Sequence, residues 1–369
     1  MLSYCAFLGL ICLQTPGQAV PGKVPAAPPA KAAATVLPPK GLPPKVLPPK
    51  VLPPKIDEPT RESIRKALDW LVTKQNPDGS WSETGFPHNT AITSFVVLAL
   101  LSDGQLPGRG RHGESVAMAA RFLVASARDQ DGLLVGARGA GGREMYCHGM
   151  ATLALGQLWG VGGPELDDAI RPVLKRAVDL IVRVQNPQGG WRYAPAPNDA
   201  DISVTVMQVM ALRAARNSGL HVPDVTLDKA FAYINSCRDP KSGGYSYQAG
   251  QNAPEFARTA AGVCVLHLCG RHSAQEIPQA VEYLEKMFSS KHHFWYGHYY
   301  ASHAMHQVGG TAWNEWYAKL QKTILPKQGA DGAWAGRDLD SASPGPIYNT
   351  SIAEIALSVP GQFVPIFQR

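Results

Sequence analysis

The globular part of this chain has no excess of charge of either sign. Residues 1–56 hold six lysines and no Asp or Glu, so the net charge of +6 belongs wholly to this stretch. The rest of the chain carries as many basic as acidic side chains. Because nucleic-acid-binding domains usually present a basic face, this balance argues against nucleic acid as a partner.

Several signatures of enzymes and metal proteins are also missing. The sequence has no P-loop, no dinucleotide fingerprint and no nucleophile elbow. Its six cysteines have neither zinc-finger nor Cys-x-x-Cys spacing. Cys147, Cys237, Cys264 and Cys269 fall in predicted helices, where cysteine commonly serves as a small core residue. We therefore expect no metal and no cofactor, and the disulfide state is left open.

The N-terminal apolar run, residues 2–13, is too short to span a bilayer as a stable helix. Gly17-Gln18-Ala19 supplies small residues where signal peptidase cuts. Residues 1–19 are therefore predicted to be a signal peptide, with a short anchor as the alternative, and the protein is predicted to be exported to the periplasm, cell envelope or medium. Lipidation at Cys12 is disfavoured because the large Ile11 precedes it.

Residues 20–56 have the composition of a linker. Leu-Pro-Pro-Lys units recur every five residues and place Lys40, Lys45, Lys50 and Lys55 in register. Such segments favour extended polyproline II, which rises about 3.1 Å per residue, so the simplest prediction is a stalk. A second interpretation is that the evenly spaced lysines contact an anionic polymer of the cell envelope.

Three copies of the pattern Gln-x-x-x-Gly-x-Trp, beginning at Gln75, Gln185 and Gln328, occur in the rest of the chain. Degenerate copies keep Gly132 and Gly243, and a loop over residues 292–297 falls where a further copy is due. Glycine allows a sharp exit from a helix, Trp brings a large apolar face with one N–H donor, and Gln can bond a neighbouring helix end. The recurrence predicts a repeat architecture stapled by these residues.

Each of the six loops lies between two stretches of helical period, which predicts twelve helices within residues 57–369. The first helix of each pair carries charges among its apolar positions and is predicted to be half solvated, whereas the second has almost no charge and is predicted to be buried. The first helices are predicted at 59–75, 114–127, 166–185, 225–237, 275–289 and 311–325. The second helices are predicted at 90–102, 145–159, 200–216, 255–269, 298–308 and 348–358. This alternation predicts an all-α fold of two concentric rings, an α6/α6 toroid.

In such a toroid the inner helices run parallel, so their N-termini meet at one mouth of a central cavity. Aligned helix dipoles make this mouth attractive to an anion or a polar head group. For Thr90, Asp199 and Asn349 taken singly, a helix-capping role is the simpler explanation. The candidate cavity residues are His88, Arg143, Glu144, Tyr146, His148, Phe256, Arg258, Tyr299, His303, Tyr348 and Asn349.

The Gln-x-x-x-Gly-x-Trp repeats and paired helices resemble the superfamily of squalene–hopene cyclases, oxidosqualene cyclases and prenyltransferase β-subunits, over about residues 57–360. The resemblance implies the toroid fold, but the repeat does not select an activity. Class II terpene cyclases carry Asp-x-Asp-Asp at the start of an inner helix, and the central Asp protonates an alkene or epoxide. Here Asp201 stands at the place of that acid, with Asp199 before it, but Ile202 replaces the final Asp.

Zinc-dependent prenyltransferase β-subunits bind their metal through Asp-x-Cys and a later His. In this sequence Asp201 and Asn349 stand where the Cys and the His would be. Because a soft thiolate and an imidazole are both lost, the resemblance does not imply a zinc site or prenyltransferase activity here.

Three functional hypotheses follow. The leading one is an exported toroid that binds an apolar, polyisoprenoid-like ligand without catalysis. The second is a class II terpene-cyclase-like enzyme that uses Asp201 as proton donor, oriented by Asp199 or Glu144. The third is a protein-interaction module presented on the stalk. An open pocket lined by aromatic residues would favour the first two, and a filled cavity the third; the ligand and the oligomeric state are left open.

Overall fold

The computed structural model describes residues 54–136, 140–336, 339–340, 343–361 and 363–367. The predicted signal peptide and nearly all of the predicted linker lie outside these residues, so both stay predictions. Twelve α-helices form within the described part of the chain. They are α1 Glu58–Val72, α2 Thr90–Ser102, α3 Gly113–Ala125, α4 Glu144–Leu158, α5 Pro164–Arg183, α6 Ile202–Asn217, α7 Asp224–Ser236, α8 Phe256–Leu268, α9 Ile277–Met287, α10 Phe294–Val308, α11 Gly310–Ile324 and α12 Pro346–Ser358.

The even-numbered helices form a closed inner ring. Each packs against the next even-numbered helix, and α12 packs back against α2. Their residues are almost all buried, whereas the odd-numbered helices bury one face and lie outside this ring. The predicted α6/α6 toroid is therefore confirmed. None of the described helices combines the length and apolarity that a membrane span requires.

The Gln-x-x-x-Gly-x-Trp loops staple successive outer helices together. The Gln185 side chain donates to the Gly189 carbonyl at 2.8 Å and to the Thr226 carbonyl of α7 at 2.9 Å. Trp191 Nε1 donates to the Ile181 carbonyl near the end of α5 at 2.8 Å. Its backbone N–H donates to the Thr205 hydroxyl of α6 at 3.1 Å. One motif thus joins two outer helices and one inner helix.

The last copy of the motif closes the ring. Gln328 donates to the Ser63 carbonyl of α1 at 2.9 Å and accepts from the Ser63 hydroxyl at 2.7 Å. The final repeat is therefore fixed to the first by the same bonds that join neighbours, which explains why the chain forms a ring rather than an open solenoid.

The predicted loop over residues 292–297 is mostly helical, because α10 begins at Phe294 rather than at residue 298. Gly297 does not mark a turn: a Cβ there would lie 2.6 Å from the Phe256 ring of α8. This glycine lets two inner helices approach closely. Pattern alone assigned it to a loop because glycine serves both purposes.

The chain after α12 was left unassigned by the sequence, and it covers the C-terminal end of the inner ring. Short 3₁₀ turns at Val359–Gly361 and Pro365–Phe367 contact α10, α12 and α6. The Ile366 N–H donates to the side-chain carbonyl of Gln157, in the last turn of α4, at 3.3 Å. The side chains of Val364 and Ile366 are buried. The described residues of this segment therefore pack on the C-terminal end of the inner ring.

Candidate binding site

A cavity of about 360 Å³ opens at the N-terminal ends of the inner helices. We call it the cup. Its volume lies near the lower end of the ~300–1,000 Å³ typical of small-molecule pockets. Every inner helix contributes to its wall, together with the loops that precede these helices. Its apolar surface comes from Phe86, Ala91, Ile92, Phe95, Met150, Met207, Ala257 and Pro344.

Tyrosine rings form most of the aromatic wall of the cup, namely Tyr146, Tyr193, Tyr247, Tyr296 and Tyr348. The rings of Tyr146 and Tyr193 are stacked, with centroids 5.7 Å apart. The hydroxyls of Tyr193 and Tyr247 hydrogen-bond to each other, and the Tyr296 hydroxyl donates to the Ser203 carbonyl at 3.1 Å. The bound hydroxyls fix the orientation of these rings, which suits an apolar or partly aromatic ligand.

Sequence reasoning missed Tyr193 and Tyr247, which lie on loops rather than on inner helices. Each stands two residues after the aromatic anchor of its repeat, Trp191 or Tyr245. Their backbone carbonyls accept from the first turns of α4 and α6, at 2.9 Å from Met145 N and 3.0 Å from Ile202 N. The shared spacing Gly-x-aromatic-x-Tyr is the signal that could have found them.

Charged side chains lie on the polar part of the cup. Arg258 lies 3.3 Å from the Glu255 carboxylate and 5.2 Å from the centroid of the Tyr247 ring. The buried Asp340 accepts from the Trp295 N–H at 3.2 Å. Arg143, just before α4, lies on the lining and is exposed. The predictions for Arg143, Tyr146, Arg258 and Tyr348 thus fall on residues that line the cup.

Asp201 does not line the cup. It is the N-cap of α6, fully buried, and its Oδ1 accepts from the Val204 N–H at 2.9 Å. Oδ2 lies 3.7 Å from Arg192 Nε, and Arg192 also pairs with Asp199. The Arg192 guanidinium carbon lies 5.3 Å and 5.8 Å from the centroids of Tyr193 and Tyr247. The inner-helix N-termini were predicted to meet at the mouth of the cavity, but the Asp201 side chain, at the N-terminus of α6, is buried outside the lining and is not exposed at the mouth.

The ionisation of Asp201 reflects its burial. Desolvation raises the pKa of the Asp201 carboxyl to about 6, whereas the bond from Val204 and the nearby Tyr247 and Arg192 lower it by less. Burial raises the pKa of such a carboxyl and a helix N-terminus lowers it, and the sequence alone does not show which effect is larger. The structure resolves this in favour of burial.

Asp201→Asn should therefore flatten part of the pH dependence of stability. A group whose folded-state pKa lies above its unfolded value stabilises the fold below about pH 4, and that contribution is lost as pH rises through about 6. Asn keeps the N-cap acceptor without the charge. The free energy of unfolding of the variant, relative to wild type, should rise by about 2–3 kcal/mol from pH 4 to pH 7 in urea titrations.

Asp199→Asn is the matched control. The pKa of Asp199 is lowered, chiefly by the bonds from Ala200 and Arg192 that outweigh desolvation, so its contribution is lost as pH falls and the pH trend of this variant should have the opposite sign. Parallel pH curves for Asp201→Asn and wild type would contradict the assignment of a buried, destabilising charge at Asp201.

His148 and three further aromatic candidates are buried in the packed wall and do not line the cup. His148 Nδ1 accepts from the Leu134 N–H at 3.1 Å, and Nε2 lies 3.1 Å from the Ala177 carbonyl. His148 thus accepts a bond from the backbone N–H of Leu134 in the second repeat, as the Thr205 hydroxyl accepts one from the backbone N–H of Trp191 in the third. Burial lowers the pKa of His148 to about 4, so the ring is neutral. The packed candidates are Phe256, whose ring centroid lies 4.9 Å from that of His298, and Tyr299 and His303, whose rings pack edge-on to each other.

The other candidates lie near the mouth without lining the cup. His88 pairs with Asp78 at 2.7 Å in the loop before α2. Asn349 donates to the Trp334 carbonyl at 3.0 Å and accepts from Ser343, so it fixes the last loop. Glu144 is half-buried in the first turn of α4. His88 and Asn349 therefore hold loops in place. His88, Glu144 and Asn349 are all absent from the lining of the cup.

No group of three or more His, Cys, Asp or Glu side chains in the described part of the chain is arranged to hold a metal ion. Cys147, Cys237, Cys264 and Cys269 are free thiols, which answers the question that the sequence left open about disulfides. Cys147 lies on the lining of the cup, and burial raises the pKa of its thiol. A neutral thiol there adds to the apolar wall.

No protein-family model and no curated protein matches this sequence. Among solved structures, the type II terpene cyclase MstE from Scytonema is 17% identical, with a TM-score of 0.57, over 85% of this chain and 100% of that chain. The alpha-1,6-mannanase of Salegentibacter sp. HEL1_6 is 9% identical, with a TM-score of 0.59, over 82% and 99%. Both are α/α toroids, which agrees with the toroid fold that the sequence predicts. At these identities the likeness shows the fold alone, since one fold hosts unrelated chemistries.

Proposed function

We propose that this protein binds an elongated apolar small molecule of isoprenoid type in the cup and does not transform it. The observation that carries the proposal is the composition of the cup. Its wall consists largely of tyrosine faces and aliphatic side chains, while the carboxylate of Asp201 is buried outside the lining. A pocket of this kind gains binding energy from apolar burial and orients its ligand through a few polar groups at the mouth.

The two structural neighbours suggest two ligand classes. MstE has been solved with geranylgeranyl dihydroxybenzoate as substrate, and the mannanase with alpha-1,6-mannotriose. The wall of this cup favours the first class, because seven of its residues are aromatic apart from histidine and most of the others are aliphatic or small. The open cavity also favours a small ligand over the third hypothesis, a protein-interaction module.

Calorimetric titration should distinguish these classes. We expect farnesol and geranylgeraniol to bind wild-type protein with a negative heat-capacity change, the mark of apolar burial, and mannotriose not to bind. Binding of mannotriose without binding of either prenyl alcohol would overturn the proposal in favour of a carbohydrate site. Binding of neither class would leave the interaction module as the better hypothesis.

A second function, terpene-cyclase-like proton transfer, is favoured by one observation. The raised pKa of Asp201, about 6, lets this carboxyl keep its proton at mildly acidic pH, where an ordinary aspartic acid is ionised. Tyr247, whose hydroxyl bonds to that of Tyr193, separates it from the cup. The test is incubation with squalene and shorter polyprenyl substrates. Cyclised product from wild type but not from Asp201→Asn would establish this function and refute binding without catalysis.

We also infer that the protein is exported, with the Pro-rich segment as a stalk. The support is the small-residue pattern at Gly17-Gln18-Ala19 and the lysine register that follows. N-terminal sequencing of the protein from its native cells is the test: a mature chain beginning at Val20 supports export, and a chain retaining Met1 or Leu2 contradicts it.

A further inference from the structure

We propose that the ligand carries an anionic group, a carboxylate or its equivalent, which Arg143 receives at the mouth of the cup. This inference rests on the proposed function, because it assigns the polar end of the same apolar ligand. It follows from which charged groups of the lining are already paired and which one is not.

The carboxylates of the lining are already engaged. Glu255 lies 3.3 Å from Arg258 and 3.2 Å from His292 Nδ1. Asp340 is buried and accepts from the backbone N–H of Trp295. Behind the wall, Arg192 pairs with both Asp199 and Asp201. A cationic ligand would have to displace one of these partners, which makes an ammonium group a poor match for the mouth.

Arg143 is the contrasting case. It lines the cup and has no hydrogen-bonding or ion-pairing partner for its guanidinium among the described residues. A guanidinium offers five N–H donors in a planar fork that matches a carboxylate or a phosphate. The other cation of the lining, Arg258, is held by Glu255 and by the Ala253 carbonyl at 3.1 Å. Arg143 is therefore the cation available to a ligand.

The surroundings of Arg143 reinforce its preference for an anion. It immediately precedes α4, and the N-termini of the other inner helices border the same cavity. The positive ends of their dipoles add to the attraction for negative charge. Burial and the neighbouring His292 lower the pKa of His293, which also lines the cup, so His293 serves there as a neutral group.

The stacked rings of Tyr146 and Tyr193 line the same cup, and Tyr146 lies in the first turn of α4, three residues after Arg143. An acid held by Arg143 would therefore direct its tail along aromatic faces into the apolar part of the cup. The ligand class that fits is an amphiphile with an acidic head and a short, isoprenoid-like tail.

The test compares farnesoic acid with farnesol, which share a tail and differ in the head group, by calorimetry at neutral pH. Wild type should bind the acid about tenfold more tightly than the alcohol, the size of one charge-assisted hydrogen-bonded pair at a partly solvated site. Arg143→Gln should lose the preference and bind the two ligands with equal affinity, and Arg143→Lys should retain part of the preference. Raising the ionic strength from about 0.05 M to about 0.5 M should weaken the binding of farnesoic acid and leave the binding of farnesol unchanged.

Arg183→Gln is the matched control, since Arg183 is exposed at the end of the outer helix α5 and its loss removes the same charge outside the lining of the cup. It should leave the preference intact. Equal affinity of wild type for acid and alcohol, or a preference that survives in Arg143→Gln, would overturn the inference while leaving apolar binding in place. Acetate binding as tightly as farnesoic acid would also overturn it, by revealing a site for free anions. If neither farnesol nor farnesoic acid binds, the proposed function itself fails, and this inference with it.

Discussion

Gly189→Ala should destabilise the protein by about 2–5 kcal/mol, a large part of the ~5–15 kcal/mol that holds a typical domain folded. Gly189 has φ of +103°, and a Cβ there would lie 2.2 Å from the Lys229 carbonyl oxygen of α7. The left-handed backbone alone costs about 1–2 kcal/mol for alanine. The overlap adds about 1–3 kcal/mol, because a backbone carbonyl cannot move aside as a side chain can. Urea unfolding followed by circular dichroism measures the loss.

Gly219→Ala is the control for this prediction. Gly219 also has positive φ, +91°, but a Cβ there would meet nothing within 4 Å. Its replacement should cost only the backbone contribution of about 1–2 kcal/mol. If the two variants lose the same stability, the close approach of the loop to α7 is not what stabilises the repeat.

Trp191→Ala should lower the free energy of unfolding by about 3–5 kcal/mol, as expected for removing a buried Trp from a packed core. The side chain is 1% exposed. Its indole N–H satisfies the Ile181 carbonyl near the end of α5, so truncation leaves both a cavity and a carbonyl without its partner. The melting temperature and the urea midpoint should both fall.

Two further variants separate the contributions of Trp191. Trp191→Phe keeps most of the packing but loses the N–H donor, so it should cost less than the alanine variant. Trp70→Ala removes a half-buried indole of α1 and should have a smaller effect. An unchanged melting temperature for Trp191→Ala would refute the stapling role of the repeat.

The repeat predicted the fold because each of its residues has one dominant use in this setting. Gln185, Gly189 and Trp191 form the bonds and the tight approach that their types suggested. The fifth repeat could not be placed equally well. It lacks the motif. The His298 ring there takes the place of the indole: its Nε2 lies 3.1 Å from the Phe288 carbonyl, just as Trp191 Nε1 bonds to the Ile181 carbonyl in the third repeat. No local pattern distinguishes such a histidine from a catalytic or metal-binding one.

The candidate site was harder to predict than the fold for a physical reason. Helices of the inner ring are apolar on all sides, so their pattern does not indicate which face meets the cavity and which packs on a neighbour. Tyr146 and Tyr348 face the cup, whereas Tyr299 lies edge-on behind Phe95, with centroids 5.4 Å apart. Whether a tyrosine faces the cup or packs on a neighbouring helix depends on how its helix is rotated about its own axis. The loop tyrosines carried no helical period at all and were missed.

Native mass spectrometry of the protein purified from its own cells, followed by extraction and mass analysis of what it carries, tests apolar binding in the cup most directly. Ala91→Trp would place an indole in the cavity from its lining, and Ala232→Trp would add the same bulk on the exposed face of the outer helix α7. Our account predicts that wild type and Ala232→Trp release an apolar small molecule of defined mass and that Ala91→Trp does not. A ligand retained equally by all three proteins, or carried by none, would contradict it.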